Sequence, residues 1–399
     1  MVPVSSAPVR HGTLDGTMST QTRPASVVPL RGFVPSLEGM RAVACIGIVV
    51  THVAFQTGGA TSPVLGHIWG RFDLTVAIFF SLSGFLLWRP HAAAARGHRS
   101  PQPLGRYFRS RFARILPGYW VGVMLILLFL PDTGGDYRVW LANLSFTQVF
   151  VPLTLTQGLT QMWSLSVEIA FYLLLPVFAW LMVRMRGAVA ARRIPVILGA
   201  AVLTLSWAFV PVSTPDGIHH DNWLPGYFPW FAAGMLLAEI SVGPPTWVHR
   251  LARRRFVMSS IAVAAFALSA TPLAGPQGLV RPAAWQFEIK ILLGAVLAFA
   301  MLAPLILAED GRRHRFLEHP VMLTLGRWSY GLFIWHLAVL AVVFPVFGII
   351  PFSGGMWFVL PVTLALSIPV AAASFALVED PARRRLAPRK KAVTASVSS

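Results

Sequence analysis

Ten stretches of this chain stay apolar over enough residues to cross a bilayer, which takes about 20 residues of helix. They are residues 37–56, 69–88, 115–130, 162–183, 194–212, 223–241, 256–272, 285–308, 321–344 and 356–378. Residues 143–155 are also apolar but too short to span, and are expected at the outer interface or re-entering. No repeat of solenoid length is visible, and no matched pair of Gly/Pro-broken spans announces the inverted halves of a transporter. The polar connections alternate in character. Of the 33 Lys and Arg residues, 28 fall in the terminal segments (through Arg41 and after Glu379) and in every second connection. Only Arg71, Arg138 and Arg281 fall in the other connections, and Lys290 and Arg327 fall within spans. Short basic loops stay in the cytoplasm. The pattern predicts an all-α polytopic membrane protein of about ten transmembrane helices with both termini cytoplasmic. The polar N-terminal segment lacks the apolar core of a signal peptide. Residues 1–35 and 386–399 are therefore expected as disordered cytoplasmic tails around a membrane domain at 36–385.

Composition narrows the function classes. The 399 residues carry a formal charge of +18, yet only 12% are charged and 55% are hydrophobic, with a mean hydropathy of +0.65. Such values exclude a soluble enzyme, a disordered chain and a nucleic-acid binder. The positive charge orients helices and meets anionic lipid headgroups, so membrane lipids are expected partners and nucleic acid is not. The single cysteine, Cys45, lies in an apolar run, which rules out an intrachain disulfide framework and a CxxC site. His219, His220 and Asp221 are adjacent but have no third ligand at useful spacing, so no metal site is expected.

An ionisable group at mid-membrane costs about 2.5–3.5 kcal/mol on insertion scales, which makes each one a functional candidate. The first span carries Glu38, Arg41 and His52. At 100° per residue Arg41 and His52 project about 20° apart, with Glu38 about 40° to the other side, so they form one polar stripe. The rise between Arg41 and His52 is about 16 Å, placing Arg41 near the cytoplasmic end and His52 near the outer end. Taken alone, these residues also fit interfacial snorkelling charges and a hydrogen-bonded core histidine. The expected topology sets Asp73 and Glu168 at the depth of His52, with Ser164 and Glu168 on one helix face. A histidine near carboxylates is a candidate general base, although Arg71 offers Asp73 a simpler partner.

The ninth span holds Arg327, Ser329, Tyr330 and His336. Its run from Gly326 to Gly331 has one residue too many for a nucleophile elbow and no preceding strand, which argues against a serine hydrolase. His336 is a candidate to line the cavity of His52, or a structural histidine. Arg106, Arg109, Arg111 and Arg114 lead into the third span. Guanidinium groups grip phosphates bidentately, while the positive-inside pattern explains the same cluster.

At these residues the sequence resembles the membrane acyltransferase-3 family of bacterial O-acyltransferases. Ser36-Leu37-Glu38-Gly39-Met40-Arg41 followed by His52 matches its first-helix pattern, and Phe79-Phe80-Ser81-Leu82-Ser83-Gly84-Phe85 its FFxxSGF run. Arg111-Phe112-Ala113-Arg114-Ile115-Leu116-Pro117 matches its RxxRIxP loop. Trp163-Ser164-Leu165-Ser166-Val167-Glu168 with Phe171-Tyr172 and Pro176 matches its WSLSVExxFYxxxP signature. Ser329-Tyr330-Gly331, Trp335-His336 and Glu379-Asp380-Pro381 complete the order. Glu38 stands where Asp is usual, Ser110 replaces the first Arg of RRxxR beside Arg109, and Ala77 stands where Asp is common, with Asp73 one turn earlier.

The resemblance implies an integral-membrane O-acyltransferase of the bacterial inner membrane. It would move an acyl group, most often acetyl, from acyl-CoA as donor substrate to a hydroxyl of a carbohydrate, glycolipid or glycosylated metabolite such as a macrolide, with no permanently bound cofactor. On this reading Arg109, Arg111 and Arg114 take the donor's phosphates and Arg41 lines the entry. His52 takes the proton of the acceptor hydroxyl or carries the acyl group briefly, oriented by Glu168 and Asp73. Trp163, Ser164, Tyr330 and His336 are candidate substrate contacts. No esterase-like domain follows Arg385, so no self-contained second catalytic step is expected. Two other classes stay open: a transporter or flippase of a lipid-linked glycan that uses the same charges for gating, and a membrane scaffold.

Overall fold

The computed structural model describes residues 34–63, 65–131, 133, 135–278, 280–308 and 314–386. Most of residues 1–35 and 386–399, the expected tails, lie outside the described residues. The described chain is helical and has no strand. Its helices are α1 (Pro35–Gln56), α2 (Leu65–Arg71), α3 (Val76–Ala95), α4 (Leu104–Phe129), α5 (Tyr137–Leu144), α6 (Trp163–Leu181) and α7 (Arg193–Thr204). They continue with α8 (Leu224–Ser241), α9 (Trp247–Arg253), α10 (Arg255–Ser269), α11 (Ala284–Leu307), α12 (Pro320–Val346), α13 (Met356–Ser374) and α14 (Asp380–Leu386). Helix is what apolar sequence must form in lipid, because the backbone polar groups have no water to bond and need partners within the segment. Proline opens α1, α8 and α12, where its missing N–H costs nothing.

All ten expected spans fall on helices. By length and composition eight helical segments among the described residues can cross a membrane: Pro35–Gln56, Leu65–Ala95, Leu104–Phe129, Thr160–Leu181, Gly187–Phe209, Ala284–Leu307, Pro320–Val346 and Met356–Leu386. The remaining two are α8, whose 18 residues include Pro225, Pro229, Tyr227 and Trp230, and α10, an apolar helix of 15 residues. Helix α8 is buried on every face, as befits a central helix that is apolar all round. Residues 143–155 form the end of α5 and an irregular loop.

Close backbone packing positions the site. A Cβ added to Gly326 of α12 would lie 2.0 Å from the Glu38 carbonyl oxygen of α1, so only glycine admits this approach. Gly84 and Gly234 play the same part between α3 and α8, against the carbonyls of Phe231 and Ser81. Cys45 Sγ lies 3.4 Å from the Ser329 carbonyl, and His52 Nδ1 lies 2.9 Å from His336 Nε2. The two pairs share the same offset of 284 residues. Helices α1 and α12 therefore run parallel, and their contacts repeat every seven residues as in a packed helical seam.

Candidate functional site

The polar stripe on α1 faces the bundle interior and opens into two adjoining pockets. The larger, of about 770 Å³, is lined by Arg41 of α1, Ser83 of α3, Arg111 and Arg114 of α4, Glu168 and Tyr172 of α6, and Ser329 and Tyr330 of α12. The smaller, of about 430 Å³, is lined by Thr51 and His52 of α1, Asp73, Gln161, Trp163, Tyr227 and Trp230, and Lys290 of α11. Ile48, Val76, Ser164 and Phe333 line both, forming one shared wall. Arg41 and His52 thus reach different pockets from one helix face, as their separation along α1 requires.

The arginine pocket holds three guanidinium groups against one carboxylate on its own wall. Arg41 bonds Glu38 at 2.7 Å. Arg111 and Arg114 are three residues apart, about 60° in projection, and share the face of α4 that looks inward. The buried Nε of Arg111 has no hydrogen-bond partner among the described residues. Glu168 Oε1 accepts from Ser83 Oγ and from Tyr172 OH, both at 2.5 Å. Tyr330 OH donates to the Ile115 carbonyl at 2.8 Å, tying α12 to α4 beside the arginines.

Arg109 is placed elsewhere. Two residues from Arg111, about 200° around α4, it is exposed and donates through Nε to the Leu386 carbonyl at 2.7 Å, at the end of α14. It does not line the arginine pocket with Arg111 and Arg114.

The carboxylates expected around His52 are also placed differently. Glu168 lies one turn beyond Ser164 and turns to the hydroxyls of Ser83 and Tyr172 in the arginine pocket. Asp73, in the 3-10 turn Phe72–Thr75, shares the second pocket with His52 but receives Lys290 Nζ at 2.5 Å. Arg71 is buried and donates to the Gly275 carbonyl. The imidazole's side-chain partner is His336, itself 1% exposed, and the Ile48 carbonyl one turn back on α1 is a second, backbone partner of the ring.

The four candidate substrate contacts divide. Trp163 lines the histidine pocket, its ring 4.9 Å from that of Tyr227. Ser164 lines both pockets and bonds the Gln161 carbonyl. Tyr330 lines the arginine pocket. His336 sits behind His52 and lines neither.

Sequence reasoning missed Gln161 and the pairing of Lys290. Gln161 is 2% exposed, and its amide nitrogen faces the carbonyls of Gly158, Phe333 and Ile334. Three carbonyls around one terminal atom fix it as the NH₂. A lysine inside an apolar span was the available signal for Lys290; nothing local marks Gln161. Among the described residues no group of three or more His, Cys, Asp or Glu is placed to hold a metal ion.

The model of the acyltransferase-3 family, an acyltransferase domain, matches residues 34–377. The chain is 28% identical over 328 residues to acyltransferase MdmB of Streptomyces mycarofaciens, covering 77% of this chain and 79% of that protein. It is 22% identical over 383 residues to the peptidoglycan O-acetyltransferase OatA of Listeria monocytogenes. That match covers 89% of this chain but only 56% of OatA. It is 23% identical over 352 residues to nodulation protein 10 of Rhizobium leguminosarum bv. viciae, covering 77% and 82%. No solved structure matches the chain.

Proposed function

This chain belongs to the acyltransferase-3 family, and from that premise we propose that its joined pockets move an acetyl group from acetyl-CoA to a hydroxyl of a cell-envelope glycan or other saccharide. It is a multi-pass membrane enzyme that transfers acyl groups. The observation that carries the finer reading is the wall shared by a guanidinium-rich pocket and a pocket containing a half-buried imidazole.

Arg41, Arg111 and Arg114 are the groups that hold the donor's phosphates. Planar guanidinium forks match phosphate oxygens bidentately, and this pocket has more positive charge than its carboxylate neutralises. The acyl-bearing arm extends past Ser164 and Phe333 to the shared wall. The positive-inside pattern of the basic loop before α4 supports a reading in which the arginine pocket faces the cytoplasm of a bacterial inner membrane, where acyl-CoA is made, and the histidine pocket faces the outside.

The histidine pocket is the acceptor site. Trp163, Tyr227 and Trp230 offer aromatic walls for the C–H faces of a pyranose, and Asp73, Lys290 and Gln161 supply polar groups for its hydroxyls. Pockets that mix apolar walls with a few placed polar groups are the usual form of small-molecule sites. His52 takes the proton from the attacking hydroxyl as its oxygen adds to the thioester carbonyl. The C–S bond then breaks, and the imidazolium returns that proton to the departing thiolate. The products are the O-acetyl ester and free CoA thiol, and no atom is left over.

Glu168 supports the donor side by fixing the Ser83 and Tyr172 hydroxyls. The test is incorporation of label from radiolabelled acetyl-CoA into saccharide in membranes containing the wild-type protein or His52→Ala. Loss of a general base costs about 10²–10⁴-fold, so the variant is expected to fall in that range while inserting normally. Label transfer by His52→Ala at the wild-type rate contradicts the assignment.

A further inference from the structure

The hydrogen bonds around His336 settle which nitrogen of His52 is available for chemistry. His336 Nδ1 lies 2.8 Å from the Phe333 carbonyl and 3.1 Å from the Leu332 carbonyl. Carbonyl oxygens only accept, so this nitrogen carries the proton and donates. Among the described residues no carboxylate is bonded to His336, and a fully buried imidazole without a counter-ion is neutral in its ground state. Its Nε2 is therefore bare and can only accept. The 2.9 Å contact between that atom and His52 Nδ1 then requires the proton to sit on His52 Nδ1. His52 Nε2 is left with its lone pair, on a ring that lines the histidine pocket.

We propose that His336 is a positioning residue that holds His52 in the Nδ1–H tautomer and stabilises its imidazolium, taking the part a buried carboxylate plays beside the imidazole of a serine hydrolase. Protonation at Nε2 makes His52 Nδ1 a stronger donor to His336, and the carbonyls of Leu332 and Phe333 disperse the charge one ring further back. The Asp of a serine hydrolase performs the same two tasks, fixing the tautomer and supporting the cation. A neutral ring suits a buried location that a carboxylate could occupy only at a large desolvation cost. The parallel seam of α1 and α12 builds this pair, because the offset that joins Cys45 to Ser329 joins His52 to His336 one heptad on.

The inference rests on the acyl-transfer reading for its catalytic meaning but not for its structural content, and the experiment separates the two. Histidine is labelled with nitrogen-15 in the full chain in detergent micelles, and the His52 ring signals are assigned by their loss in His52→Gln. The wild type is expected to show His52 as a single Nδ1–H tautomer, and His336→Phe, in which only the Ile48 carbonyl is left to hold the ring, a measurable share of the Nε2–H form. In acetyl transfer, kcat of His336→Phe is expected to fall roughly 10- to 100-fold, the scale seen when the partner that orients a metal-bound histidine is removed, with donor and acceptor KM unchanged. His336→Gln, whose amide oxygen accepts from His52 Nδ1, is expected to restore the single tautomer and most of kcat. An Nε2–H tautomer in the wild type, or a His52 spectrum unmoved in His336→Phe, overturns the proposal. A wild-type rate in His336→Phe overturns the proposal's catalytic half and leaves acyl transfer standing. A shifted tautomer in a protein that transfers no acetyl group contradicts the activity and supports the positioning.

Discussion

Arg109, Arg111 and Arg114 look equivalent along the chain, and the turn of α4 makes them different. Two of them face the larger pocket and the third holds the end of α14. Arg114→Ala is expected to raise the KM for acetyl-CoA at least tenfold with kcat nearly unchanged, because phosphate contacts far from the reacting carbonyl bind ground and transition states alike. Arg109→Ala is expected to leave that KM within twofold of wild type. Steady-state kinetics in membrane vesicles check both, and a larger effect at Arg109 contradicts the assignment. On the acceptor side, Lys290→Met removes the partner of Asp73 and is expected to raise the saccharide KM severalfold while the donor KM holds. Equal shifts in both KM values contradict two separate sites. His52, Arg41 and Glu168 were legible as candidates because ionisable residues inside apolar spans are rare. Their partners were not. Whether Glu168 meets His52 or the hydroxyls of Ser83 and Tyr172 depends on side-chain direction across three helices, which spacing along one helix does not fix.

The parallel contact of α1 with α12 is the element on which the site stands. Gly326→Ala puts a methyl group into the Glu38 carbonyl, and forcing extra volume into such a contact costs about 1–3 kcal/mol. Both the detergent melting temperature and acetyl transfer are expected to fall in Gly326→Ala; unchanged values for both contradict the packing argument. Val76 at the start of α3 lines both pockets. Val76→Phe is expected to block the shared wall, abolishing transfer while acetyl-CoA binding, read by isothermal titration on the purified protein, is retained. Transfer at the wild-type rate in that variant contradicts a route through the wall. Helix positions were largely readable from hydropathy, since each expected span falls on a helix. The pairing of α1 with α12 was not, because 284 residues separate the partners and the glycine that permits it sits in a run whose serine and flanking glycines suggest other chemistry.

At the scale of the molecule, sidedness decides whether the two pockets can serve two compartments. The chain's single cysteine is buried, so introduced cysteines report without interference. With ten crossings, Asp216→Cys reacts with an impermeant maleimide from outside the cell and Arg250→Cys only from the cytoplasm. Labelling of both from the same side contradicts that topology and reduces the crossings to the eight segments that satisfy length and hydropathy alone. Charge asymmetry along the sequence carries the expected orientation, whereas the short α10 and the proline- and aromatic-rich α8 blur the count. The most direct measurement of the whole account places purified protein in proteoliposomes, with labelled acetyl-CoA on the face bearing the arginine-rich loop and a saccharide acceptor on the opposite face alone. Label is predicted to appear on the saccharide with wild-type protein and to drop about 10²–10⁴-fold with His52→Ala. Label that appears only when donor and acceptor share one compartment, or that survives unchanged in His52→Ala, would contradict transfer through the imidazole between the two pockets.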